Sequence, residues 1–188
     1  MIRTCKRLAA LAAAVLLCLG LCACGGGSEA GAPDFYAVFG CTVIPSSEAQ
    51  AAMQTYLEDL AGDLNGDGET CVSVEYIGIS NDSNSVTDSG RLTVLLSEPQ
   101  YTLFLLSDEP NEDFPGISAN FCSQDYFEDL SAYGITPDAD QSQRVTVSDC
   151  AILTEMGLGG IDFYAHVIDR DSEADMDAAL AVIGDMLQ

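Results

Sequence analysis

The side chains best suited to chemistry crowd into one short stretch, Asp63-Leu64-Asn65-Gly66-Asp67-Gly68-Glu69. Oxygen-bearing side chains at alternate positions, followed by glycine, can turn toward one centre, and Ca²⁺ takes six to eight oxygens at such a centre. The same residues also suit a plain turn. Asn-Gly and Asp-Gly supply the positive φ angles with which a chain leaves a helix and enters a strand.

Over these seven residues the stretch resembles the first half of an EF-hand or dockerin-type calcium loop. The resemblance implies that Asp63, Asn65 and Asp67 ligate through their side chains and Glu69 through its backbone carbonyl. It lacks the family's bidentate Glu at the twelfth place. Val74 stands there, inside an expected strand, and Glu75 follows one residue late with the wrong facing. A full shell would need a carboxylate from elsewhere in the chain.

Four cysteines follow Cys24, namely Cys41, Cys71, Cys122 and Cys150. An even count in an exported chain allows up to two disulfides. Cys122 and Cys150 flank the least regular section and are the candidate pair; free buried thiols are the alternative. Cys41 falls late in one expected strand and Cys71 at the start of the next, so a parallel pairing puts them at opposite ends. No two of these cysteines have C-x-x-C spacing, which leaves thiol-redox and zinc-ribbon chemistry without support.

Catalysis through a Ser-His-Asp or Cys-His arrangement would have to use His166, the one histidine, which stands within the apolar run Phe163 to Ile168 and reads as a packed residue. There is no G-x-S-x-G and no H-E-x-x-H, and no lysine follows Lys6 to serve a phosphate loop. Gly157-Leu158-Gly159-Gly160 lacks the third glycine of a dinucleotide loop. A carboxylate pair for glycoside hydrolysis can be drawn almost anywhere among thirty acids, so that signal selects nothing.

The elements that must position these residues follow from periodicity. Residues 35–44 are aromatic and β-branched and end at Pro45, as a buried strand does. Ser47 and Gln50 form a capping box ahead of Met53, Tyr56, Leu57, Leu60, Ala61 and Leu64, whose spacing predicts a helix over 47–62. Residues 71–80 alternate as a second strand. The Asn81-Asp82-Ser83-Asn84 turn and a Ser85/Asp88 capping box precede a helix over 86–97. Tyr101 to Leu106 is an unbroken apolar run, as in a strand buried on both faces. Beyond an acidic loop over 107–115 we expect short helices near 124–132 and 150–156 and a strand over 161–168. A last helix, capped by Ser172 with Asp175, carries Met176, Ala179, Leu180, Ile183, Met186 and Leu187 on one face. Strands alternating with helices predict a single three-layer α/β domain over 34–188, with a mostly parallel sheet of about four strands.

The whole chain has 188 residues and a formal charge of −24. That length fits one core, and that charge repels nucleic acid and anionic lipid. The first residues differ in kind. Arg3, Lys6 and Arg7 precede an uncharged run from Leu8 to Leu21, then small residues, which is the three-part pattern of a secretory signal peptide and too short to span a membrane. Leu21-Cys22-Ala23-Cys24 resembles the lipobox of bacterial lipoproteins, with Cys22 where Ala, Ser or Thr is commoner. The resemblance implies cleavage after Ala23, diacyl-type lipidation of Cys24, and an extracytoplasmic protein held by two hydrophobic chains. The alternative is a conventional signal peptide cut near Ala23 or Ala30, or an uncleaved anchor. Residues 24–33 then serve as a flexible tether.

Without residues 1–23, three arginines (Arg91, Arg144, Arg170) face thirty acids, a net charge of −27. Such a surface keeps the domain soluble, or meets a cationic partner, and leaves the lipid as the only membrane contact. Three functional readings follow. The first is a non-enzymatic surface binding or interaction module for an unknown protein or small molecule. The second is a solute-binding or accessory component of a transport system, since a lipobox followed by βα units resembles one lobe of the extracytoplasmic solute-binding lipoproteins. The third is an acid-residue hydrolase with calcium as a structural ion.

Overall fold

Aromatic and β-branched residues make Phe35–Cys41 the interior strand β1, with Phe35, Ala37, Phe39 and Cys41 facing one side and Val38 the other. The computed structural model describes residues 32–79, 85–108 and 116–188, the side chains of 85–89 excepted. The leader, Cys24, nearly all of the tether, the 81–84 turn, the Ser85/Asp88 cap and most of the acidic loop lie outside these residues. Residues 33–188 make up one compact unit.

Helix α1, Ser47–Ala61, follows β1. Its cap sits one residue earlier than the sequence suggests: Ser46 Oγ accepts the Ala49 N–H at 3.3 Å, and the Gln50 amide donates back to the Pro45 carbonyl at 2.9 Å. Strand β2, Val72–Gly78, pairs parallel with β1. The register, Phe35 opposite Val72 and Cys41 opposite Gly78, puts Cys41 and Cys71 at opposite ends of the pair. Helix α2, Ser85–Ser97, leads to β3, Leu103–Asp108, which is buried throughout and pairs parallel with the other side of β1.

The α/β architecture is as expected, with two corrections from the second half of the chain. The sheet has five strands, in the order β2-β1-β3-β5-β4. Strand β4, Val145–Thr146, has two residues, too few to register as a periodic pattern. Strand β5, Asp162–Val167, runs antiparallel to β3 and β4. The connection from β3 to β5 is a run of short elements rather than a single crossover helix, so the right-handed parallel rule does not apply to it. These elements are α3 (Ile117–Cys122), a 3₁₀ turn (Leu130–Tyr133) and α4 (Ala151–Glu155). The helix expected near 124–132 therefore lies earlier, and residues 124–129 are not helical; Asp125 takes a φ of 56° there.

Helix α5, Glu173–Met186, starts at Ser172, whose Oγ accepts the Asp175 N–H at 3.3 Å as the spacing indicates. It buries Met176, Ala179, Val182 and Ile183 with α1's Met53 and Leu57 on one sheet face. The opposite face is covered by Leu92 and Leu96 of α2, Ile117 and Phe121 of α3, and Phe127. Each such large apolar side chain contributes about 1.5–3 kcal/mol by leaving water. No helix among the described residues is long and apolar enough to cross a membrane.

Candidate functional site

The carboxyl end of β3 carries Asp108, and this residue organises a buried polar cluster. Its Oδ1 accepts the Ser118 N–H at 2.8 Å, and its Oδ2 receives a longer bond from Ala119 N at 3.4 Å, so a side chain from a strand caps α3. Arg144, 9% exposed, reaches it from just before β4. Nη1 lies 3.3 Å from Asp108 Oδ2, Nε 3.4 Å from Asp138 Oδ2, and Nη2 3.4 Å from Asp140 Oδ2. The guanidinium carbon sits 4.1 Å from the centre of the Tyr164 ring, stacked as cation on π face. Asp138 in turn accepts from the Thr146 N–H and hydroxyl at 3.0 and 3.1 Å, which fixes β4. Burial pushes the Asp108 carboxyl up, while the Ser118 and Ala119 N–H groups and Arg144 draw it back down. One cation serves three carboxylates, of which Asp108 is buried and Asp140 largely exposed.

His166 lies two residues beyond Tyr164 on the same face of β5, opposite Phe104 and fully buried. Its ring stacks on Phe127 with centroids 4.2 Å apart. Nδ1 lies 2.9 Å from the Gln143 carbonyl, which can only accept, so Nδ1 carries the proton and Nε2 the lone pair. Nε2 is buried with no hydrogen-bond partner among the described residues. Burial, and then the Arg144 charge, lower its pKa to about 3 against the raising effect of the Gln143 bond. Cys122 Sγ sits 3.8 Å from Nδ1, and burial pushes this thiol up to about 12. The Cys122–His166 contact thus joins a neutral imidazole to a protonated thiol, the opposite of an activated nucleophile.

The expected staple between Cys122 and Cys150 does not form. Cys122 packs with Phe104 and Phe121 on one sheet face, whereas Cys150 packs with the cluster of Met53 and Ile183 on the other. The sheet stands between them, beyond the reach of a disulfide.

The Asp63 stretch is a turn held by its own oxygens. Asp63 accepts the N–H groups of Gly66 and Gly68 at 2.6 and 2.9 Å, Asn65 that of Asp67 at 2.9 Å, and Asp67 that of Glu69 at 3.0 Å. Gly66 and Gly68 take φ angles of 76° and 92°, which is why glycine stands at both places. Asp34, a residue the sequence pattern did not single out, accepts from Leu64, Asn65 and Cys71 at 3.1, 2.9 and 2.8 Å and ties both ends of the turn together. The side-chain oxygens of the turn point at backbone N–H groups, and no cluster of three or more His, Cys, Asp or Glu converges among the described residues.

The open feature is a groove. Three adjoining hollows of about 640, 520 and 350 Å³ run between α1 and α4 and past the end of α5. The first two share Tyr56, Ala151 and Ile152, and the second and third share Ala52 and Glu155. Tyr56 donates its hydroxyl to Asp185 at 2.9 Å. Its pKa is raised, by burial and then by that carboxylate. Of the residues singled out from the sequence, Cys150 lines this groove, with its thiol pushed up by burial. Asp108, Arg144, Asp138 and Asp34 were missed. The scarcity of arginine, three among thirty acids, was the one available pointer to Arg144.

The fold and this site define an α/β domain with a largely buried polar cluster at a strand end and an open acidic groove between helices. Set against family models, curated proteins and solved structures, the chain matches none.

Proposed function

We propose that the protein is an extracytoplasmic lipoprotein, anchored through acyl chains on Cys24, whose acidic domain acts as a binding or interaction module rather than as an enzyme. The observation that carries the non-catalytic part is the state of His166. The one histidine of the chain is fully buried, bonded through Nδ1 to the Gln143 carbonyl, and held neutral beside a protonated Cys122 thiol. A general base must reach its substrate's proton and titrate near working pH, and this imidazole does neither. The groove between α1 and α4 offers concave, half-apolar surface with no histidine among its described lining residues.

The anchor is tested in the native bacterial envelope by metabolic labelling with an alkyne fatty acid. Wild-type protein is expected to take the label and sediment with membranes. Cys24→Ala should lose the label, and Cys22→Ala should keep it. Unlabelled wild-type protein retaining residues 1–23 would refute the anchor.

A further inference from the structure

We propose that the groove between α1 and α4 binds a cationic, partly apolar polypeptide segment of a partner protein, an inference that rests on reading the domain as an interaction module. The floor is apolar and set with small side chains. Ala52 of α1 and Ala151 of α4 both line it, together with the buried Val147, Ile152 and Met186. Small residues on both walls let another backbone come close, and the length of three adjoining hollows, open along one side, suits a chain segment better than a compact ligand. Carboxylates are spread along the whole length: Glu48, Asp59 and Glu155 beside α1, Asp149 and Asp185 toward the chain end. No arginine or histidine is among the described lining residues.

The domain's own cations are committed elsewhere. Arg91 pairs with Glu75, and Arg144 serves Asp108, Asp138 and Asp140. Arg170 donates to the carbonyls of Tyr101 and Leu96 at 3.1 and 2.6 Å, at the end of α2. The groove carboxylates are therefore not neutralised from within by any of the three arginines, and lysine or arginine side chains of a partner supply the missing charge while its apolar residues cover the alanine floor. A second hollow of about 360 Å³, lined by Asp169, Asp171, Glu173 and Asp177 over Met176 and Leu180, has comparable charge without the length. It serves as the internal control.

The full lipidated protein, in nanodiscs of neutral phosphatidylcholine, is titrated against a fluorescein-labelled peptide of alternating Lys and Leu, with empty nanodiscs subtracted. Saturable binding is expected. Ala151→Arg, at an exposed position, should weaken it by about tenfold or more, and Asp149→Asn with Glu155→Gln should weaken it and flatten its salt dependence. Asp171→Asn with Asp177→Asn should leave it unchanged. Equal losses from both charge pairs, equally tight binding of oligolysine, or no binding at all would overturn the groove assignment. Fatty-acid labelling of the same preparation reports separately on the anchor, so the two readings fail independently.

Discussion

Asp108 and Arg144, 36 residues apart in the chain, meet at 3.3 Å with their side chains 5% and 11% exposed. This contact joins the end of a core strand to a segment with little regular structure of its own. Arg144 is the single cation facing three carboxylates, so its removal leaves a buried anionic group without compensation. Arg144→Met is expected to lower unfolding stability by about 3–5 kcal/mol. Arg144→Lys should recover only part of this, because a compact ammonium on a flexible stem cannot span the separate positions from which the planar guanidinium meets Asp108, Asp138 and Asp140 and stacks on Tyr164. Urea unfolding measures both, and a wild-type midpoint for Arg144→Met would show that the cluster contributes nothing.

The buried histidine makes stability depend on pH. The native state keeps His166 neutral down to about 3, whereas the unfolded chain takes up its proton near 6.5. Between those values the unfolded chain binds the extra proton. Stability from this group is complete above pH 6.5 and falls as pH drops toward 3, by up to about 1.4 kcal/mol per pH unit. Asp108 acts in the opposite sense: burial raises its native pKa, so its protonation favours the native state at acid pH. We expect the urea midpoint to fall between about pH 6.5 and 5, above the carboxylate range, and His166→Gln to flatten that slope. A wild-type midpoint constant over this window would contradict a neutral core histidine.

The first half of the fold was legible because β1, α1, β2, α2 and β3 are long enough to show a period, and Pro45 punctuates them. Cys41 and Cys71 fall at opposite ends of their strand pair for the same reason. The second half depends on contacts between distant residues. The start of α3 is set by Asp108, ten residues before Ser118, and β4 is held by Asp138, eight residues before Thr146. Local pattern carries neither. The Cys122–Cys150 pairing failed because spacing in sequence does not tell which sheet face a cysteine occupies.

Asp34 holds the two ends of the Asp63 turn together. Asp34→Ala withdraws the acceptor from three N–H groups, those of Leu64, Asn65 and Cys71. Each partly buried donor left unpaired costs about 1 kcal/mol or more, so a total loss of roughly 2–4 kcal/mol is expected. Millimolar Ca²⁺ should leave the thermal midpoint of the wild type unchanged, because the loop oxygens already accept from the backbone. A calcium-dependent rise that Asp67→Asn abolishes would instead establish an ion in the turn.

Gly116 separates backbone strain from contact with the cluster. It has a φ of 104°, and a Cβ built there falls 2.5 Å from Asp108 Cγ. Gly134 also has a positive φ, 79°, with nothing within 4 Å of its Cβ position. Gly134→Ala therefore carries only conformational strain, about 1–2 kcal/mol. Gly116→Ala adds the displacement of a carboxylate that caps α3 and holds Arg144, for an expected excess of about 1–3 kcal/mol. In an Asp108→Ala background the collision partner is gone, so the Gly116→Ala cost should fall by about that excess, leaving the backbone strain of a φ 104°, ψ 161° conformation that only glycine adopts readily. A Gly116→Ala cost unchanged in this background would place the strain in the backbone itself and not in the approach of Asp108.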